Sequence, residues 1–139
     1  MNYKYTLLLS ITILIIACFP PHERISKDNA YRIGSKELTE MGLDTSQMEI
    51  QIIPGHPISL DSIRTGAIRR SFFGNYTDWL ERSEGRLEKK TFWRCCSHKK
   101  GYLDAIYDLY IDSQTGEVLY LDGMGPRVKR WREQHGVGE

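Results

Sequence analysis

The residues of the 139-residue chain with most capacity for chemistry are Cys95 and Cys96, which are adjacent and have His98 close behind. Neighbouring Cα atoms are about 3.8 Å apart, whereas a relaxed disulfide wants roughly 4.4–6.8 Å, so a bond between them would be strained. On a strand their side chains point to opposite faces, which predicts one buried thiol and one exposed thiol. The pattern leaves open two structural thiols, a vicinal disulfide, an intermolecular bridge, and a nucleophile or metal site. Asp104, Asp108 and Asp112 recur at every fourth residue of an expected strand and could hold a cation. Ile106 and Tyr110 interleave them there, so the row is read as a solvated face. His22, His56, His98 and His135 are scattered without metal-ligand spacing. The chain has no Gly-rich phosphate loop, Gly-x-Ser-x-Gly elbow or His-Glu-x-x-His helix. The reading assigns no catalytic residue, cofactor or metal, and expects no enzyme.

Charge narrows the partners. Lys+Arg 19 against Asp+Glu 18 and a pI of about 7.7 lack the basic footprint of a nucleic-acid binder. Residues 1–17 place Lys4 before an uncharged run, the pattern of a signal peptide. The run from Thr6 to Phe19 would reach about 21 Å as a helix, short of a ~30 Å hydrocarbon core. Its end, Ile15-Ile16-Ala17-Cys18, resembles the bacterial lipobox. The resemblance implies cleavage after Ala17 and a lipidated Cys18 carrying diacylglycerol and an N-acyl chain such as palmitate. Each buried CH₂ contributes about 0.8 kcal/mol, so more than one chain anchors stably. The mature protein is then expected on a membrane of a bacterial cell envelope, on its periplasmic or extracellular face.

The elements that position these residues follow from local signals. Residues 18–27, with Pro20-Pro21, predict a lipidated tether. Asp28 is expected to cap a helix over 28–41, which Gly42 ends. Met48 to Ile53 alternates as a first strand before Pro54 and Gly55. Residues 55–89 are weaker: Ser59 to Arg64 predicts one helical turn, Asn75 or Thr77 a cap before Trp79, and the remainder a solvated face. Thr91 to Cys96 and residues 103–111 predict antiparallel strands, and Asp112-Ser113-Gln114-Thr115-Gly116 a tight turn before Glu117 to Leu121. Phe72, Phe73, Trp79, Phe92 and Trp93 are expected to be mainly core. Residues 124–139 read as a basic, frayed tail. The fold class is therefore α+β, an N-terminal helix on a small antiparallel sheet of about four strands.

The hairpin Tyr107-Asp108-Leu109-Tyr110-Ile111-Asp112-Ser113-Gln114-Thr115-Gly116-Glu117-Val118-Leu119 resembles the last hairpin of PepSY-type domains. The resemblance covers about 28–53 and 90–121 and implies a PepSY or cystatin-like domain over 28–123, interrupted by an insertion at 55–89. Such domains occur in exported proteins and peptidase propeptides, which implies a peptidase-inhibitory or envelope-regulatory role. The expected function is a lipoprotein that binds an envelope protein or peptide. An immunity-type or inhibitor lipoprotein and a thiol-dependent envelope enzyme are the alternatives.

Overall fold

A computed structural model describes residues 24–102 and 107–138. Cys18, His22 and Asp104 lie outside the described residues, as do the whole 1–17 segment and most of the tether.

Helix α1 spans Lys27–Glu40. Its cap is Ser26, whose Oγ accepts from Asn29 N at 3.1 Å; the expected cap, Asp28, lies in the first turn, where its charge suits the helix dipole. At the other end Gly42 takes φ 80°. Its N–H donates to Thr39 O and that of Leu43 to Leu38 O, closing the two-bond C-terminal motif that needs a left-handed residue. Ala30, Gly34 and Leu38 form the buried stripe.

Strand β1 (Met48–Ile52) pairs antiparallel with β3 (Thr91–Lys99), which pairs with β4 (Tyr107–Asp112), which pairs with β5 (Val118–Gly123). The two-residue β2 (Ile58–Ser59) joins the start of β3. The fold is α+β, as expected, with a five-stranded antiparallel sheet. Asp112 Oδ1 accepts from Gln114 N and Thr115 N, and Gly116 takes φ 80°, so the β4–β5 turn forms on the residues expected.

Alternation sorts the sheet residues onto two faces. On one, Ile52, Cys95, Leu109 and Leu121 lie side by side across β1, β3, β4 and β5, under α1. The other carries Arg94, Cys96, Asp108, Tyr110 and Tyr120. The solvated-face expectation fails here, since Asp108 is 9% and Asp112 1% exposed. The reason is that residues 55–89 cover this second face. Helix α2 (Leu60–Arg64), capped by Ser59, delivers Leu60 and Ile63 to the core, helix α3 (Tyr76–Arg82), capped by Asn75, delivers Trp79, and the connections between and after them deliver Ile68, Phe73 and Leu87. Tyr110 stands at the centre of that layer, 5.3 Å from Trp79, 5.7 Å from Phe92 and 5.9 Å from Tyr120 between ring centres. Of the five expected core aromatics only Phe72 is exposed.

The C-terminal segment is a second correction. Residues 126–134 form helix α4 (Pro126–Gln134). Pro126 suits the first turn because it has no N–H to leave unbonded. Gly136 at φ 65° repeats the C-terminal motif of α1, with Gly136 N bonding Glu133 O and Val137 N bonding Arg132 O. Val128, Trp131 and Val137 are buried, which a frayed tail would not permit.

Candidate functional site

The sheet brings Cys95, Cys96, Arg94 and Asp108 together on β3 and β4. Both cysteines are free and buried, at 0% and 5% exposure, so the expectation of one exposed thiol is overturned. The two side chains do point to opposite faces, and each face is covered. Cys95 lies under Gly34 of α1. Burial, with the Asp108 charge adding to it, pushes its thiol up to about 12. Cys96 is raised further by the same two causes. A thiol held protonated is a poor nucleophile at neutral pH. His98 turns away from this chemistry: its Nε2 lies 2.9 Å from Glu49 Oε2 on the neighbouring strand. His56 and His135 are exposed and distant in the chain. Among the described residues no cluster of His, Cys, Asp and Glu has the geometry of a metal site.

Arg94 and Asp108 form a buried two-bond ion pair. Arg94 Nε and Nη2 reach Asp108 Oδ2 at 3.1 and 2.7 Å, and Nη2 also donates to Phe72 O at 2.7 Å. Burial opposes the Arg94 charge, yet Asp108 outweighs it and holds the guanidinium charged. Burial raises Asp108 above the ordinary carboxylate value despite Arg94. Asp108 Oδ1 and Tyr110 Oη are buried without hydrogen-bond partners among the described residues. The pair ties the 55–89 segment to the sheet, because the Phe72 carbonyl hangs on the same guanidinium.

A concave surface builds up around α4. Trp131 Nε1 donates to Glu37 Oε1 at 2.6 Å, fastening α4 to α1, and the Trp131 ring stacks on His135 at 3.9 Å. Arg132 reaches back over β5, with Nη2 3.2 Å from Tyr120 Oη and 3.6 Å from Asp122 Oδ1. Arg82 holds the same Asp122 oxygen from α3 at 3.2 Å. Arg86 donates to the carbonyls of His135 and Gly136, closing the end of α4. The result is a cleft of about 520 Å³ between α4 and the β5–α4 connection, with Met124, Pro126, Val128 and Val137 as its apolar lining and Arg132 and Glu133 as polar groups. Met124 is 88% exposed at its rim. Flanking Gly123 and Gly125, at φ 150° and 103°, hold the methionine out on a turn that side chains rarely adopt. An unbranched thioether of this kind adapts to varied apolar surfaces.

The sequence reading missed this cleft. Its signals were Pro126 as a helix start, Gly136 as a stop, and Val128 and Trp131 three positions apart between them. Compared with known proteins, the chain matches no family model, no curated protein and no solved structure. No described helix is long and apolar enough to cross a membrane.

Proposed function

We propose that the protein is a bacterial envelope lipoprotein, held to a membrane through lipidated Cys18, whose PepSY-like domain binds a protein or peptide and catalyses no reaction. The observation that carries the binding reading is the cleft beside α4, with the 88% exposed Met124 at its rim and the buried Val128 and Val137 behind it. A concavity with an apolar floor and charged residues Lys129, Arg132 and Glu133 along it suits an apolar side chain of a partner segment. Ile15-Ile16-Ala17-Cys18 supports the anchor, and the Asp112 to Gly116 turn with Glu117-Val118 supports the PepSY likeness. The protonated, covered thiols favour binding over thiol chemistry.

The test places a photo-crosslinking residue at Glu133 in the full-length chain in envelope membranes. A discrete adduct at Glu133 that disappears on Met124→Glu, and is absent when the probe sits at the exposed Tyr102, supports the reading. No adduct at Glu133, or the same adducts from Tyr102, contradicts it.

A further inference from the structure

Strand β1 ends the sheet, so among the described residues one of its edges is unpaired. Ile53 N bonds Arg94 O and Lys100 N bonds Gln47 O, which fixes the alternation: Glu49 and Gln51 bond inward to β3, while Ile50 and Ile52 turn both backbone groups outward and Met48 its C=O, the Met48 N–H donating to Thr45 O. A groove of about 380 Å³ runs beside this edge, between Ile50 to Ile53 and the Lys27, Asp28 and Tyr31 side of α1. The sequence Met48-Glu49-Ile50-Gln51-Ile52 is complementary to its own reverse. Turned about Ile50, it sets Met48 against Ile52 on the α1 face and Glu49 against Gln51 on the other, with no like charges opposed.

We propose that two copies of this chain pair antiparallel through their β1 edges, with Ile50 on the twofold axis, and continue one sheet across both. The outward N–H and C=O groups of Ile50 and Ile52, with the Met48 C=O, then meet the same groups of the second copy. The exposed edge that would otherwise recruit stray strands is closed. Ile25 lies on the α1 face, where its carbonyl accepts from Trp93 Nε1. A twofold axis normal to the sheet puts both tethers on one side, as two anchors in one bilayer require. This orientation rests on the lipid-anchor reading, whereas the pairing does not.

Opposed residues of a hydrogen-bonded pair have Cα atoms about 5.5 Å apart, within disulfide range. The full-length chain carrying Ile50→Cys, oxidised mildly in its membranes, is expected to convert mostly to a disulfide-linked dimer. Tyr102→Cys, 60% exposed in the native chain, is the control and is expected to stay monomeric. Because Ile50 is half-buried, a second experiment uses the exposed Glu49 and Gln51 in a Cys96→Ala background, since Gln51 stands opposite Cys96 on β3: Glu49→Cys and Gln51→Cys chains produced together are expected to cross-link to each other, and neither alone to itself. Failure of the mixed pair to cross-link, or equal cross-linking by Tyr102→Cys, overturns the pairing. A cross-linked dimer whose Cys18 is not acylated would keep the pairing and remove the orientation.

Discussion

Gly34 is where α1 comes closest to the sheet, and its replacement by alanine tests the packing of the fold at one atom. A Cβ built there collides with Cys95 Sγ and lies 3.8 Å from Ile111 Cδ1. In an open helix, Gly→Ala stabilises by about 0.5–1 kcal/mol. Forcing an extra carbon into a filled core costs about 1–3 kcal/mol, so Gly34→Ala is expected to destabilise the protein by about 0.5–2 kcal/mol. Cys95→Ala removes the sulfur that the new methyl strikes. In that background the Cβ of residue 95 still lies 3.1 Å from the new methyl, so the same Gly34→Ala change is expected to lose most of its penalty, giving a coupling of about 1–2 kcal/mol between the two sites. Urea unfolding of the four proteins, followed by tryptophan fluorescence, supplies the cycle. Stabilisation by Gly34→Ala in the native background, or an unchanged penalty beside Cys95→Ala, would refute the close packing of α1 on Cys95.

The two buried thiols make the protein sensitive to alkali. The folded Cys95 ionises near 12 instead of its ordinary 9.0, so above about pH 9 the unfolded chain binds fewer protons and stability falls as pH rises toward 12. Cys95→Ala should flatten that decline, and native alkylation should label neither Cys95 nor Cys96 until the protein is unfolded. Trp131→Ala should cost about 3–5 kcal/mol in a melting or urea experiment, because the indole is 2% exposed and fastens α4 to Glu37; a frayed tail would show no change. Gly116→Val should cost more than about 1 kcal/mol by the same measurement, since φ is 80° and a Cβ there meets Ile25 Cδ1 at 3.0 Å.

Features encoded within a few neighbouring residues were legible in the sequence. Gly42 as a helix stop, the alternation of Met48 to Ile52 and the Asp112 to Gly116 turn are each decided by local backbone chemistry. The second face of the sheet was not legible, because its burial depends on contacts between distant segments. Asp108 and Asp112 alternate with Leu109 and Ile111 as a half-solvated strand would. Phe73, Trp79 and Leu87 arrive from residues 55–89 to cover this face, and the burial is made tolerable by Arg94 on Asp108 and by Lys90 with the Gln114 and Thr115 N–H groups on Asp112. The same cause buried Cys96: alternation placed it on the far face from Cys95, but period two does not say whether a face is covered. The cleft was hidden because the many charges of residues 127–133 outweighed the Pro126 and Gly136 boundary signals, although Val128 and Trp131 supply a buried stripe. The candidate binding surface was therefore present in the sequence as helix punctuation and absent from it as hydropathy.

The intact mass of the mature protein, isolated from membranes, tests the central claim most directly. The account predicts a chain that begins at Cys18 and carries a mass increment for diacylglycerol and an N-acyl group, with both lost and the leader retained in Cys18→Ala. A mature chain that keeps residues 1–17, or that begins elsewhere with no acyl mass, would contradict the anchored-lipoprotein account.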